Sequence, residues 1–378
     1  MYTIGNNIIS SLGFTTDENY TAVKQGISGM KYYESGTFDL SEPFMASLIN
    51  KERLKDEFAG ISQNNNYTDL EKASILSVFS ANKEAKIDLS SEKTIIILST
   101  TKGNVDLLDM RLSKSKIYLW HTAELIASFF GNPNTPIVLS NACISGAAAQ
   151  ITAQRELQSG NYDYAVVTGV DFLSKFIISG FQAFKALSPE FCRPFDKDRC
   201  GLNLGEAAAT MIFCNEQLTM KNRVSLVAGA VRNDATHISA PSQTGEGSFR
   251  ALRSILENID IENIAFINAH GTATPYNDAM EMNAILRAGL EKVPVNALKS
   301  YFGHTLGAAG VVESIISMYA LNDGVILKTL GFEENEQFLL DVCRENRRTD
   351  KKYFIKMMSG FGGVNVGLLF ATDNISVN

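Results

Sequence analysis

The sequence predicts an α/β fold built from two halves of like construction, and three observations carry that prediction. Short runs rich in β-branched residues alternate with longer helical stretches. Alternation on this length scale implies helices layered on a sheet. Each half also holds a strand that ends in a chemically capable residue and feeds a helix: "IVLSNACISGAAA" in the first, "IAFINAHGTATPYNDAME" in the second.

The strands are "TIIILST" (94–100), "YAVVTGV" (164–170), "AATMIFC" (208–214) and "IAFINAH" (264–270), all read as buried. Ile137-Val138-Leu139 read as the end of another buried strand. Helices fall on "YTDLEKASILSVFSANKEA", "ISGAAAQITAQRELQSG", "YNDAMEMNAILRAG" and "AAGVVESIISMYALNDG". The polar run "NEQLTMKNRVS" (215–225) is a candidate midpoint, which divides the chain into residues 1–220 and 221–378. There is no short-period repeat and no low-complexity stretch.

Composition narrows the function class. The 378 residues are 45% hydrophobic and 20% charged, as in ordinary globular enzymes, and the net charge of −7 argues against a nucleic-acid-binding surface. Cys143, Cys192, Cys200, Cys214 and Cys343 are odd in number, with no CxxC pair and no zinc-ligand spacing, so no metal is expected. A reduced, cytoplasmic chain is expected. The opening "MYTIGNNIISSLGF" lacks the basic and apolar regions of a signal peptide, and no apolar run reaches the ~18 residues of a membrane span.

Four stretches carry chemistry. Cys143 sits at a strand-to-helix corner ahead of Gly146 and three alanines. Unpaired N–H groups and the helix dipole would favour a thiolate there, although a small buried cysteine under a helix fits the same residues. The other four cysteines read as structural. His270 follows the strand "AFIN" in a Gly/Thr/Pro loop, with Asn277 or Asp278 placed to cap the next helix. In "ALKSYFGHTLGAAGVVESI", Lys299, His304 and Glu313 share one loop-plus-helix unit whose glycines admit a close backbone or ligand. In "MMSGFGGVNVGLLF", Gly360, Gly362 and Gly363 bracket Phe361 ahead of a strand, so a phosphate cradle is excluded. One cysteine and two histidines suit a thiolate nucleophile with two imidazole donors for an enolate or oxyanion near a thioester.

Taken together, "NACISGAAA", "GFQAFKALS", "RPFDKDRCGLNLGEAA", "HGTATPYNDAME", "KSYFGHTLGAAG" and "GFGGVN" resemble the β-ketoacyl-acyl-carrier-protein synthases, the condensing enzymes of fatty-acid and polyketide synthesis. The resemblance implies a thiolase-like fold, two similar βα halves stacked as a five-layer αβαβα core. It implies that Cys143 is acylated, that His270 and His304 are the catalytic histidines, and that Lys299 and Glu313 support them. Phe361 matches the gating phenylalanine, whose N–H with that of Cys143 forms the oxyanion hole. Thr272, Thr274, Gly362 and Gly363 are expected at the substrate, and Lys185 at the carrier protein. No cofactor is implied, since acyl carrier protein brings the phosphopantetheine. The implied assembly is a homodimer, or a heterodimer with a related chain.

The motifs also depart from the family pattern. Ser359 stands in place of the first phenylalanine of the Phe-Gly-Phe-Gly-Gly loop, Cys200 in place of a common aspartate and Asn141 in place of a common threonine. These point to a specialised pathway over housekeeping lipid synthesis. The rival reading within another class is a non-catalytic partner subunit that sets chain length, against which the retained Cys143 argues.

Overall fold

The computed structural model describes residues 1–64, 66–110, 114–215, 224–335 and 339–373. Ten strands form the main sheet: β1 (Tyr2–Ser10), β2 (Thr94–Ser99), β3 (Ile137–Leu139), β4 (Tyr164–Asp171), β5 (Ala207–Cys214), β6 (Val224–Asn233), β7 (Ile264–Asn268), β8 (Val295–Asn296), β9 (Tyr353–Gly360) and β10 (Val364–Thr372). The principal helices are α1 (Asp69–Ala85), α2 (Leu119–Phe129), α3 (Ser145–Gln158), α4 (Lys175–Ala183), α5 (Glu246–Ile255), α6 (Pro275–Arg287) and α7 (Ala309–Asn322).

The strand order is β8-β7-β9-β10-β6-β1-β5-β4-β2-β3. Read outward from the centre, each half repeats one plan. In the first, β2 pairs parallel with β3 and β4, while β4–β5 and β5–β1 are antiparallel. In the second, β7 pairs parallel with β8 and β9, while β9–β10 and β10–β6 are antiparallel. The halves meet at one ladder pair, Tyr2 with Ser225. Helices occupy matching places: α1 and α5 follow the first strand of each half, α2 and α6 the second, α3 and α7 the third. This is the two-half thiolase-like architecture that the motifs implied.

Five layers result. α1 and α2 cover the outer face of the first half-sheet, and α5 with α6 lies on the outer face of the second. Between the half-sheets run α3 and α7, which touch strands of both and form the centre of the largest core cluster. Their small residues make this layer possible. A Cβ on Gly310 would stand 2.4 Å from Ala147 N, and one on Gly146 would stand 2.8 Å from Gly307 O. The close approach expected of these glycines is thus a helix–helix contact. α1 begins with a capping box, Thr68 and Glu71 each holding the other's backbone N–H.

Two expectations need correction. β3 is a half-buried strand of three residues at the sheet's outer edge, because only β2 flanks it. α6 is not capped by Asn277 or Asp278: it starts earlier, with Thr274 at the N-cap and Pro275 at the first helical position. The proposed midpoint, 215–225, lies mostly outside the described residues, its last two forming the start of β6. Among the described residues no helix is long and apolar enough to cross a membrane.

Candidate active site

The cysteine, both histidines and Phe361 all come from loops at the C-terminal ends of parallel strands, where an open α/β sheet presents its chemistry. Cys143 follows β3, His270 follows β7, His304 precedes α7 after β8, and Phe361 follows β9. Cys143 and His304 thus occupy matching corners of the two repeats. Their loops are held in strained backbone: Ala142 (φ 46°), Ala273 (φ 59°) and Leu306 (φ 50°) are all left-handed without being glycine.

The cysteine corner is closed by Ser145. Its Oγ accepts from Asn141 N at 2.8 Å and donates to Ala142 O at 2.6 Å. Cys143 is 8% exposed, and Phe361 N–H donates to its sulfur. Burial pushes the thiol up to about 11, against the pull of Lys299 and Lys102. This corrects the expectation of a resting thiolate. α3 begins two residues later, at Ser145, and burial outweighs the dipole, so the sulfur needs a base.

The His270 loop hangs on two buried carboxylates of α6. Glu281 accepts the N–H of His270 (2.6 Å) and of Gly271 (2.7 Å), and Asp278 accepts those of Thr272 (3.1 Å) and Phe195 (2.8 Å). Asp278, expected as a cap, therefore braces the loop instead. The His304 loop is tied by Asp171, which takes the N–H of Gly307 at 2.7 Å and that of Thr101 at 2.9 Å. His304 Nδ1 accepts from Leu306 N at 3.3 Å, which leaves the proton on Nε2, buried and without a partner among the described residues. His270 Nδ1 is likewise buried, and it has no partner among the described residues. Burial first, then the charge of Lys299 and Lys356, holds both imidazoles well below their ordinary range, so both are neutral at pH 7.

Cys143 Sγ and a ring nitrogen of each histidine all lie within 4.8 Å of one another. They open into a cavity of about 500 Å³. Phe361 stands in this cavity, 38% exposed, its ring 6.0 Å from Phe181 and 5.3 Å from Phe184. Thr272 and Thr274, joined Oγ1 to Oγ1 at 2.8 Å, line it, as do Gly363 and Lys185. Gly362 does not line it; its N–H is bound to Ile238 O at 2.7 Å. Ser359 lines it too, its Oγ donating to Asn365 Oδ1 at 2.9 Å, so a polar group stands where the family pattern has a ring. Cys200, read as structural, is exposed and lines the same cavity, beside Ser188 at 3.1 Å. All five cysteines are free.

Lys299 and Glu313 are fully buried partners, Nζ to Oε1 at 2.7 Å. The sequence reading missed the third member, Lys356, which donates to Glu313 Oε2 at 2.5 Å. It also missed Asp171 and Glu281. The available signals were a lysine inside the apolar strand "YFIKMM", an aspartate ending "VVTGVD" and a glutamate one helical turn beyond Asp278.

Comparison with known proteins finds family matches over both halves of the chain. Residues 15–218 match the family model "Beta-ketoacyl synthase, N-terminal domain", and residues 224–333 match "Beta-ketoacyl synthase, C-terminal domain". The chain is 34% identical over 254 residues to 3-oxoacyl-[acyl-carrier-protein] synthase 2 of Vibrio harveyi, covering 62% of this chain and 61% of that relative. It thus spans less than two thirds of the relative's length. A solved β-ketoacyl synthase from Burkholderia phymatum STM815 superposes with a TM-score of 0.86 at 25% identity, over 99% of each chain. A ketosynthase (ApeO) in complex with its chain length factor (ApeC), from Xenorhabdus doucetiae, superposes with a TM-score of 0.84 at 24% identity, over 98% of this chain and 97% of that one.

Proposed function

The chain belongs to the β-ketoacyl synthase family, and we propose that it is a 3-oxoacyl-[acyl-carrier-protein] synthase that joins an acyl group held on Cys143 to malonyl-carrier. The observation that carries this reading is the convergence of Cys143, His270 and His304 within 4.8 Å in one cavity.

Acylation comes first. A neutral imidazole accepts the Cys143 proton, and the sulfur attacks the acyl thioester. The N–H groups of Cys143 and Phe361 receive the oxyanion, and the carrier thiol leaves with a proton. Malonyl-carrier then enters. The N–H of His304 Nε2 and a ring N–H of His270 bind its thioester oxygen, CO2 departs, and the charge left behind is held as an enolate. Its carbon attacks the acyl-Cys143 carbonyl, and Cys143 leaves as thiolate, giving 3-oxoacyl-carrier. Lys299 and Glu313 sit behind the histidines as their electrostatic support.

In this reading residues 1–220 supply the nucleophile and 221–378 the donors and gating loop. Lys185 meets the acidic carrier, which brings its own phosphopantetheine, and the chain works in the cytoplasm on a fatty or polyketide acyl chain. A second copy or a related chain pairs with it, as the Xenorhabdus ketosynthase pairs with its chain length factor. The alternative, a non-catalytic partner, would not need a nucleophile and two donors aimed at one point. Labelled acyl-carrier decides between them: a synthase traps the label on Cys143 and releases CO2 from malonyl-carrier, whereas a non-catalytic subunit does neither.

A further inference from the structure

Glu313 carries two ammonium groups, and only one is needed to balance it. Lys299 Nζ lies 2.7 Å from Oε1, and Lys356 Nζ lies 2.5 Å from Oε2. Lys299 and Lys356 are both 0% exposed. A buried ammonium is costly, and an apolar side chain of similar length would fill the same space in β9 without that cost. Its neighbours along the strand, Ile355, Met357 and Met358, are indeed apolar.

Lys356 makes two further contacts. Its Nζ donates to Ala269 O at 3.1 Å and to Asn268 O at 3.4 Å. Ala269 is the residue before His270, and Asn268 ends β7, which pairs with β9 in a register that sets Asn268 opposite Lys356. The lysine therefore ties the backbone that carries His270 to the Glu313 carboxylate on α7.

Resting on the synthase reading above, we propose that Lys356 is a positioning residue for the decarboxylation half-reaction: it fixes the His270 loop through the Ala269 carbonyl and gives the buried Lys299–Glu313–Lys356 trio a net positive charge that favours the enolate.

The charges around His270 agree with this. Lys299 and His304 face it from the segment before α7, Lys356 from β9, Glu313 from α7, Asp278 and Glu281 from α6, and Cys143 from the corner before α3. Both α6 carboxylates are engaged by backbone N–H groups. Glu281 offsets part of the Lys356 charge, but burial raises its carboxyl to about 7, so it is only partly ionised at pH 7 and a cation remains in excess at the pocket. Burial and Lys299 push Lys356 down to about 8, with Glu313 and Glu281 opposing, so it is protonated at pH 7 and loses its proton just above.

The test uses Lys356→Met and Lys356→Gln in the full chain. Malonyl-carrier decarboxylation is expected to fall about tenfold in kcat with little change in KM, less than the loss typical of a direct donor. Acylation of Cys143 should fall less. The fall in wild-type decarboxylation above pH 8 should vanish in both variants, which a merely structural role would not produce. A readout independent of turnover is the ring NMR spectrum at pH 7. The chain has only four histidines, and the His270 signals should move while those of His121 and His237 stay. A wild-type chain that decarboxylates no malonyl thioester would defeat the synthase reading, and the NMR result would still decide the positioning role. Unchanged His270 signals, or an unchanged rate and pH profile, would overturn the proposal. So would failure of both variants to fold, which would make Lys356 a core residue.

Discussion

His270 and His304 meet edge to face, their ring centroids 5.1 Å apart and their planes at 82°. The two rings do not stack, and among the described residues His270 Nδ1 and His304 Nε2 are the buried ring nitrogens without a partner. Both are neutral, and each can hold a proton that an incoming oxygen would accept.

Replacing either one should therefore separate the two half-reactions. Each of His270→Ala and His304→Ala keeps one imidazole to take the Cys143 proton, so each is expected to accept a labelled acyl group in a single turnover, more slowly than the wild-type chain. Each should lose about 10²–10³ in the rate of CO2 release from malonyl-carrier. Wild-type CO2 release from both variants would remove the donors from the mechanism.

Glu313 is a test of stability. Glu313→Gln leaves Lys299 and Lys356 buried side by side without an anion, which should cost about 3–5 kcal/mol in urea unfolding at pH 7. The pH dependence has a definite sign. Lys299 and Lys356 hold the Glu313 carboxyl below its ordinary 4.5 despite burial. A depressed carboxyl contributes stability that is present above pH 4.5 and lost as pH falls through the lower folded value. That contribution should be missing from the acid unfolding curve of the glutamine variant.

Much of the architecture was legible because strands such as "TIIILS" are apolar and β-branched throughout, and because α3 and α7 spell out their contact in Gly146 and Gly310. Cys143, His270 and His304 could be named because their loops are rich in small residues. The braces could not. Asp171, Glu281 and Lys356 are charged residues inside otherwise apolar or helical runs, and what they hold is backbone contributed by another segment. Neither periodicity nor capping rules describe a carboxylate that serves someone else's N–H. The resting state of Cys143 was misjudged for a similar reason, since burial is a property of the whole fold.

The thiol itself should report that burial. With its proton held up to about 11, Cys143 is expected to react with iodoacetamide at a rate that is still rising between pH 9 and pH 11, as followed by peptide mass spectrometry. A plateau below pH 8 would mean that a partner stabilises the thiolate in the resting chain.

The helix contact can be opened deliberately. In Gly310→Ala the new methyl meets Ala147 N and Gly146 C, both backbone atoms that cannot rotate away. Overpacking of this kind costs about 1–3 kcal/mol, and it also pushes α3, and with it Cys143, away from the histidines. Melting temperature and acylation rate should fall together, and full retention of both would show that α3 and α7 can slide apart without consequence.

Lys185 lies at the cavity in a left-handed turn (φ 53°). Lys185→Glu should slow turnover of carrier-borne substrate about tenfold at low salt, with the deficit shrinking as salt rises. Small pantetheine thioesters should react as before. Equal loss on both substrates would place Lys185 in the chemistry.

The two half-sheets share a single ladder pair, Tyr2 with Ser225. Each half can therefore zip its own ladder without waiting for the other, and during synthesis β1 to β5 are complete before β6 emerges from the ribosome. The sulfur is then in place while the imidazoles are still unmade. Only when α7 docks against α3 does the nascent chain acquire a base for its thiol. The catalytic set is thus completed only by the second half of the chain, and a chain stalled halfway has the sulfur without the imidazoles.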